Sequence, residues 1–238
     1  MKDWKEYWEK FWIDYPARAE NDEYLIQVGK TIEGVQITQK QFHAIVKNID
    51  THLNINNNDK VLDLCCGNGL ISIEIAKNCR EVVGIDYSEI LINKAKEISQ
   101  TSNVKYYQKD IRKLNELKSI NENIFTKVLW YEALAFFDGK DLYEILHFLI
   151  NITTKDSLIL IGSVLDYDRK WNFFNTFKRK FNYIFRIVIL GQEVGLGKWW
   201  KRSEIEKICE SLNLQCEFHY QNDILHTAHY RFDVKIYK

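Results

Sequence analysis

Short apolar runs alternate with amphipathic stretches along most of the chain. Runs typical of buried parallel strands lie at residues 61–64, 81–85, 104–110, 127–131 and 157–161. Between them, residues 88–99 and 140–150 carry apolar side chains at helical spacing, and Ser88 is a favourable N-cap. Strands that alternate with helices over short connections predict a doubly wound α/β fold with a mostly parallel sheet.

The C-terminal part of the chain departs from this alternation. The segment Ser203-Glu-Ile-Glu206 is typical of a capping box that opens a helix. Residues 214–220 and 230–236 alternate apolar and polar positions, as antiparallel edge strands do. These segments predict a last helix followed by an antiparallel hairpin.

The segment Val61-Leu-Asp-Leu-Cys-Cys-Gly-Asn-Gly69 carries the strongest chemical signal in the chain. It predicts a strand that runs into a glycine turn, after which a helix begins at Leu70. Gly67 and Gly69 permit a tight turn and the close approach of a ligand, and free amides at the helix start face that ligand. This arrangement predicts a nucleotide site at the carboxyl end of the strand.

Acidic residues end the next two strands, at Asp86 and Asp110. With the spacing Asp63-x-x-x-Gly67-x-Gly69, they resemble the motifs of the class I S-adenosylmethionine-dependent methyltransferases. The resemblance covers the core of the chain. It implies a seven-stranded sheet with a reversed last strand, S-adenosylmethionine as cofactor, and methyl transfer to an acceptor.

The resemblance also implies roles for individual residues. Asp86 would hold the ribose, Asp110 and Ile111 the adenine, and Asp63 would organise the turn. Residues 130–132 would contact the methionine amino group and the acceptor. The implied cofactor contacts are Asp63, Leu64, Cys65, Gly67, Asn68, Gly69, Asp86, Tyr87, Asp110, Ile111, Trp130 and Tyr131.

Other interpretations of the glycine turn remain open. A nicotinamide-binding unit requires Gly-x-Gly-x-x-Gly or Ala, whereas this chain has Ser72 at the third small position and Asp63 inside the strand, which favours S-adenosylmethionine. An ordinary strand-to-helix turn and a catalytically silent S-adenosylmethionine-binding partner are further alternatives.

Candidate catalytic groups follow the fourth strand and flank the last one. Glu132 is the first candidate for a base or an acceptor anchor, because it matches an acid that is frequent after the fourth strand in the family that the chain resembles. The histidines common shortly after that position in the family are replaced here by Ala135 and Phe136. His226 and His229 are further candidates for catalysis. No metal site is predicted.

The insertion at residues 166–202 is strongly basic, with nine Lys and Arg against three Asp and Glu in a chain of zero net charge. Aromatic residues are interspersed among these bases. The pattern predicts a cap for a small anionic acceptor with a flat or apolar part, such as a sugar derivative or natural-product intermediate, with oxygen preferred as the methylated atom. Docking on an anionic membrane to reach a lipid-linked or quinone-like acceptor is the alternative. Aromatics that only pack on the sheet are a third interpretation.

The N-terminal stretch places Trp4, Trp8 and Trp12 on one helical face. This face either caps the core or forms a lid over cofactor and acceptor. We therefore expect one domain over residues 1–238. It comprises a helical lid (1–50), a cofactor-binding core (51–165), the substrate cap (166–202), and the last helix with its hairpin (203–238).

Composition narrows the setting. The 238 residues are 46% hydrophobic and 28% charged, which is ordinary for a single soluble domain. No apolar run reaches the length of a membrane span, and no signal-peptide core is evident, so we expect a cytoplasmic protein. The single proline excludes the Pro-Pro loop of enzymes that methylate exocyclic amines in nucleic acid, and the near-neutral charge argues against a nucleic-acid partner.

Overall fold

The computed structural model of the protein describes residues 7, 10–12, 14–19, 23–115, 117, 124–190 and 196–238. The strands are β1 (Thr31–Ile32), β2 (Val35–Gln36), β3 (Lys60–Leu64), β4 (Glu81–Asp86), β5 (Val104–Gln108), β6 (Phe125–Tyr131), β7 (Thr153–Leu165), β8 (Gln215–Tyr220) and β9 (Arg231–Tyr237). The helices are α1 (Tyr24–Gln27), α2 (Gln39–Leu53), α3 (Leu70–Ala76), α4 (Glu89–Ile98), α5 (Gly139–Ile152), α6 (Lys170–Phe173), α7 (Phe177–Ile184) and α8 (Arg202–Ser211). A π-helix at Phe185–Ile189 continues α7.

Seven strands form one sheet in the order β5-β4-β3-β6-β7-β9-β8, and β1 pairs with β2 in a separate hairpin. Strands β3 to β7 are parallel, whereas β9 runs antiparallel to its neighbours β7 and β8. The predicted seven-stranded sheet with a reversed last strand is therefore confirmed. Because the strand order reverses between β3 and β6, the carboxyl edge at this point is a natural ligand site.

Helices cover both faces of the sheet. On one face, Val128 and Trp130 of β6 join a core with α5 and α8. On the other face, Leu129 and Tyr131 join a core with α2 and α3. Successive residues of β6 thus lie in different cores, because side chains alternate across a strand.

The prediction that both final strands lie at an edge is wrong for the last one. Strand β9 lies between β7 and β8, and only β8 is at the edge. Phe232, Val234 and Ile236 of β9 are fully buried. An alternation of apolar and polar residues occurs in edge strands, and it also occurs in an interior strand of which one face is buried. The pattern therefore does not distinguish the two positions.

The predicted capping box is also wrong. Helix α8 begins at Arg202, and its N-cap, Lys201, makes no capping hydrogen bond through its side chain. The entry to the helix is held instead by the buried Trp200, whose indole donates a 3.1 Å hydrogen bond to the carbonyl oxygen of Leu134. Ser203 consequently falls inside the first turn rather than before it.

Three residues at or near the carboxyl ends of central strands have an unusual backbone conformation. Cys65, Glu132 and Ser163 adopt left-handed conformations, with φ of 57°, 58° and 61°. They lie near the carboxyl end of β3, just past β6 and at the irregularity of β7. Such conformations are uncommon outside glycine and cluster at functional sites. This edge of the sheet is therefore where the candidate site lies.

Gly162→Ala is expected to destabilise the fold by about 1–3 kcal/mol, because overpacked cores typically cost this much. A Cβ at Gly162 would overlap the ring of Tyr131 on the adjacent strand. Gly139→Ala is the matched control, because its Cβ would meet only Ile208, at 3.8 Å. Urea unfolding measures both, and equal stability of the two variants would contradict this packing.

Candidate functional site

A cavity opens at the carboxyl edge of β3, β4, β5 and β6. It contains about 1050 Å³ of empty space, part of it open to solvent, which is enough for a cofactor-sized ligand. The sequence-predicted residues that line it are Cys65, Gly67, Asn68, Asp86, Tyr87, Asp110, Ile111, Tyr131 and Glu132. The structure thus brings together side chains from four strand ends and the glycine turn.

The glycine turn forms one wall of this cavity. Gly67 has a φ of +58°, and a Cβ there would lie 2.8 Å from the Val28 side chain. Gly69 has a φ of +77°, and its Cβ would overlap the hydroxyl of Tyr106. Close packing against β5 and a left-handed backbone require glycine at position 69, and its contact with the cofactor stays a prediction.

Asp86 connects the second strand to the glycine turn. Its Oδ2 accepts a 2.9 Å hydrogen bond from the amide of Gly67, and its Oδ1 accepts one of 2.9 Å from the amide of Ser88. Burial raises the pKa of Asp86 to about 6, although these amides favour the ionised form. The amide of Tyr87 also interacts with this carboxylate, and the lone pair that remains can accept a hydrogen bond from a ligand hydroxyl.

Asp63 lies behind the turn rather than in the cavity wall, and so does Leu64. The hydroxyl of Ser72 donates a 2.5 Å hydrogen bond to Oδ2 of Asp63, which connects β3 to α3. Burial raises the pKa of Asp63 to about 7. Asp63 thus supports the turn from behind, and the direct cofactor contacts of Asp63 and Leu64 stay predictions.

The end of the third strand presents a charged pair to the cavity. Asp110 binds Arg112 through two hydrogen bonds, from Nε at 3.1 Å and from Nη2 at 3.0 Å. Ile111 is buried beside them. The carboxylate of Asp110 is therefore oriented by Arg112, a cavity residue that the sequence interpretation did not identify.

Glu132 joins three distant segments of the chain. Its Oε2 pairs with the ammonium of Lys30, and its Oε1 lies 3.3 Å from Nη1 of Arg231 and accepts a 3.2 Å hydrogen bond from the Ser163 hydroxyl. Burial acts to raise the pKa of Glu132, but the charges of Lys30 and Arg231 outweigh it and lower the pKa to about 2. A pKa this low favours the anchor over the base among the two predicted roles of Glu132, and its catalytic role stays a prediction.

Trp130 and Tyr131 have different environments. Trp130 is fully buried and packs edge-on against Phe137, with 4.9 Å between ring centroids. Tyr131 lies on the other face and lines the cavity. Alternation along β6 directs the side chain of Trp130 into the core, and the implied contact of Trp130 with the cofactor stays a prediction.

The two candidate histidines do not line the cavity. His229 is exposed, and its ring packs edge-on against Tyr230 at 4.7 Å between centroids. His226 is half-buried, and burial lowers its pKa against the opposing effect of Glu132. His226 lies near enough to Glu132 to interact with it electrostatically, and catalytic roles for both histidines stay predictions.

The segment before β1 covers the glycine turn. Nδ2 of Asn68 donates hydrogen bonds to the carbonyl oxygen of Tyr24 at 2.7 Å and to Oε1 of Gln27 at 3.1 Å. A few residues further along, Lys30 reaches the carboxylate of Glu132. The two ends of the cavity are therefore connected through one short N-terminal segment.

Trp12 lines the cavity and packs edge-on against Phe136, with 5.6 Å between ring centroids. The other members of the predicted indole stripe, Trp4 and Trp8, lie outside the described residues. Trp12 and the segment around α1 are thus the observed part of the proposed lid.

Sequence reasoning missed Arg231 and Arg112, and it noted Lys30 only as part of a lid segment. Lys30 and Arg231 have no motif around them, and they become functional candidates only because folding buries them beside Glu132. For Arg112, the spacing of two residues from Asp110 was an available signal.

In the described part of the chain, no group of three or more His, Cys, Asp or Glu side chains could hold a metal ion. Among the same residues, no helix has the length and apolar character that crossing a membrane requires.

Known proteins match this chain in sequence. A family model described as a methyltransferase domain matches residues 55–225. The chain is 33% identical over 130 residues to the 23S rRNA (uracil(1939)-C(5))-methyltransferase RlmD of Aliivibrio fischeri (strain ATCC 700601 / ES114), covering 50% of this chain and 29% of that protein. The chain therefore spans less than a third of the length of this relative.

Solved structures share the fold over nearly the whole chain. The magnesium protoporphyrin IX methyltransferase ChlM from Synechocystis PCC 6803, with S-adenosylmethionine bound, has a TM-score of 0.64 at 13% identity and covers 99% of this chain and 97% of its own. The plantazolicin methyltransferase BpumL, in complex with a triazolic desmethylPZN analog and S-adenosylhomocysteine, has a TM-score of 0.64 at 15% identity and covers 98% of this chain and 95% of its own.

Glu132→Gln is expected to destabilise the protein by about 3 kcal/mol near neutral pH, because Lys30 and Arg231 lose a buried countercharge. Folding lowers the pKa of Glu132 from 4.5 to about 2, so its stabilisation is fully present above pH 4.5 and is lost as the pH falls through about 2.

Urea unfolding of both proteins at neutral and acidic pH measures this difference. The difference between the wild type and Glu132→Gln should shrink on acidification, whereas the control Glu144→Gln, whose side chain is 44% exposed on α5, should change little at any pH. A difference for Glu132→Gln that does not depend on pH would contradict the ion-pair assignment.

Proposed function

Because the chain belongs to the methyltransferase domain family, we propose that it transfers a methyl group from S-adenosylmethionine to a small acceptor that carries an oxygen anion. The family match and the neighbours with bound S-adenosylmethionine or S-adenosylhomocysteine confirm the predicted cofactor. One observation carries the proposal for this chain: the glycine turn with Asp86 and the Lys30–Glu132 pair lie in a single cavity.

The residues of the cavity fit this cofactor. Asp86 is a buried carboxylate with a lone pair available for a ribose hydroxyl, and Asp110 and Ile111 occupy the place where the adenine is expected. The Oδ1 atom of Asn68 is buried without a hydrogen-bond partner in the described structure, so it can accept from a ligand donor. The glycine turn admits the ligand close to its backbone.

When bound, S-adenosylmethionine supplies an electrophilic methyl group on a positively charged sulfur. The residues of the chain position the acceptor and exclude water, and positioning accounts for much of the rate of such a displacement. Trp12 and Phe136 cover one side of the cavity, and the Lys30–Glu132 pair holds the segment that follows α1 against β6. These contacts would close the site around an aligned acceptor.

The acceptor end of the cavity favours a group that is already ionised. None of the described residues that line the cavity is a histidine, and Glu132 is held by two cations. An acceptor hydroxyl would therefore lack a strong proton acceptor, whereas a carboxylate oxygen is ionised at neutral pH and attacks without a base. Lys30, Lys109 and Arg112 in the cavity wall balance the carboxylates of Asp86, Asp110 and Glu132, so the wall as a whole would not repel such an anion.

The segments that cover the site favour a small acceptor over RNA. The hydrogen bonds of Asn68 hold the segment around α1 over the glycine turn, and Trp12 lies across the cavity. The relative RlmD is named for an rRNA substrate, but the similarity covers only 29% of that protein. RNA is therefore tested as the competing acceptor.

Asp86→Asn is expected to weaken S-adenosylhomocysteine binding about 10- to 100-fold at pH 7.5, because it removes charge-assisted hydrogen bonds. The pKa of Asp86 is about 6, so wild-type affinity should fall as the pH drops from about 7 to 5 and the carboxylate becomes protonated.

Titration calorimetry across this pH range tests the assignment. The Asp86→Asn variant should lose the affinity step near pH 6, and Asp156→Asn, at an exposed position of β7, should keep it. An unchanged step in Asp86→Asn would assign the titration to another group, such as Asp63.

Release of S-adenosylhomocysteine measures the proposed reaction. The acceptors are a pool of aromatic and aliphatic carboxylic acids, the same pool with its carboxylates converted to amides, and an rRNA fragment. Turnover with the acids and not with the amides is expected. Equal turnover with acids and amides would contradict the carboxylate acceptor, turnover with RNA alone would contradict a small acceptor, and cofactor binding without turnover in any pool would favour the silent partner.

A further inference from the structure

One side of the cap segment exposes apolar and basic side chains together. We call this surface the docking face and define it by the exposed residues Phe177, Lys178, Lys180, Phe181, Ile184, Phe185, Arg186 and Ile189. We propose that the docking face binds the surface of an anionic lipid bilayer. Given the proposed function, this placement would let the enzyme take an amphiphilic carboxylate acceptor from the membrane.

Three phenylalanines form the apolar part of the docking face. Phe177, Phe181 and Phe185 stack along one side of α7 and the π-helix, with ring centroids 6.5 and 6.0 Å apart. Phe177 is 85% exposed and Phe181 is 58% exposed. None of the eight residues of α7 is buried. A contiguous apolar surface of this kind marks an interaction site rather than part of the core.

The inner side of α7 is already attached to the protein. Tyr183 packs on Phe174, with 4.2 Å between ring centroids, and on Trp171 at 5.9 Å. Phe174 is buried in a cluster that includes Trp199 and Tyr230. The helix is therefore anchored through one side, and the stacked phenylalanines are on the side left to solvent.

The positive charge of the segment around the docking face favours an anionic partner. Residues 169–190 contain six Lys and Arg and no Asp or Glu. A second copy of the chain meeting this face with the same face would bring like charges together, which disfavours a symmetric dimer. An anionic surface instead meets the bases favourably.

Aliphatic side chains favour lipid over nucleic acid. Ile184 is 48% exposed, Ile189 66% and Leu190 49%. Binding of single-stranded nucleic acid uses aromatic platforms for bases, to which aliphatic side chains contribute no stacking. Aliphatic and aromatic groups beside lysines are typical of segments that lie in the membrane interface.

The docking face adjoins the cavity. Arg179 of α7 pairs with Glu33 at 3.2 Å, which places the helix beside the β1–β2 hairpin. This hairpin exposes Ile32 and Val35, by 41% and 70%, and follows directly after Lys30 of the cavity wall. Membrane contact through both elements would bring the cavity close to the lipid surface.

Co-sedimentation with vesicles tests the proposal. The wild type should bind vesicles of phosphatidylglycerol mixed with phosphatidylcholine, and binding to phosphatidylcholine alone should be much weaker. Lys178→Gln/Lys180→Gln should lower binding at least about tenfold, since each base near an anionic surface contributes several-fold. Phe177→Ser/Phe181→Ser should also lower binding about tenfold or more, by removing apolar insertion.

Matched controls separate the docking face from general surface properties. Tyr143→Ser/Ile224→Ser changes side chains that are 42% and 51% exposed elsewhere, and it should bind vesicles as the wild type does. Calorimetry with S-adenosylhomocysteine should show unchanged cofactor affinity in all these variants, so loss of membrane binding is distinguishable from failure of the methyltransferase assignment.

Several outcomes would overturn the proposal. These are wild-type binding without preference for anionic vesicles, and docking-face variants that bind like the wild type. An rRNA fragment that binds through this face while vesicles do not would identify a nucleic-acid surface. A dimer in sedimentation velocity that the phenylalanine variants abolish, without vesicle binding, would identify a protein interface.

Discussion

The site depends on one buried ionic interaction, the pairing of Glu132 with Lys30 and Arg231. It joins the N-terminal segment, the end of β6 and the start of β9, which no local interaction would hold together. A buried carboxylate is costly without countercharges, so each of the three segments stabilises the position of the others. The same cations lower the pKa of Glu132 and keep it ionised, which is the basis of the proposal that the acceptor arrives ionised.

The remaining carboxylates of the site differ from Glu132 in their partners. Asp86 and Asp63 are buried beside amides and a hydroxyl rather than beside cations, and burial raises the pKa of both. Asp86 lines the cavity, where a ligand's hydroxyl groups would replace lost solvent, whereas Asp63 supports the turn. At this edge of the sheet, Glu132 thus remains charged at neutral pH, whereas the charges of Asp86 and Asp63 respond to ligand and pH.

The aromatic residues of the cap lie in two different environments, a small buried core and an exposed stack. Trp199, Phe174 and Tyr230 form a small core that attaches the cap to the sheet, so part of the aromatic content does pack inward. The stacked phenylalanines of α7 remain outside it, in a segment (residues 169–190) whose sequence contains bases and no Asp or Glu. The two sides of this helix therefore differ: one packs on the small core, and the other leaves its aromatic side chains exposed to solvent.

Local chemistry in the sequence determined the fold class and the cofactor half of the site. Apolar runs, helical stripes and a glycine turn are read over a few residues, and parallel strands necessarily bring Asp86 and Asp110 to one edge. Only the tertiary structure placed β9 inside the sheet, directed Trp130 into the core, and brought Lys30 and Arg231 to Glu132. These outcomes depend on strand order and on which face of a strand meets which helix, and side chains far apart in sequence acquire their partners and their pKa values only when folding buries them together.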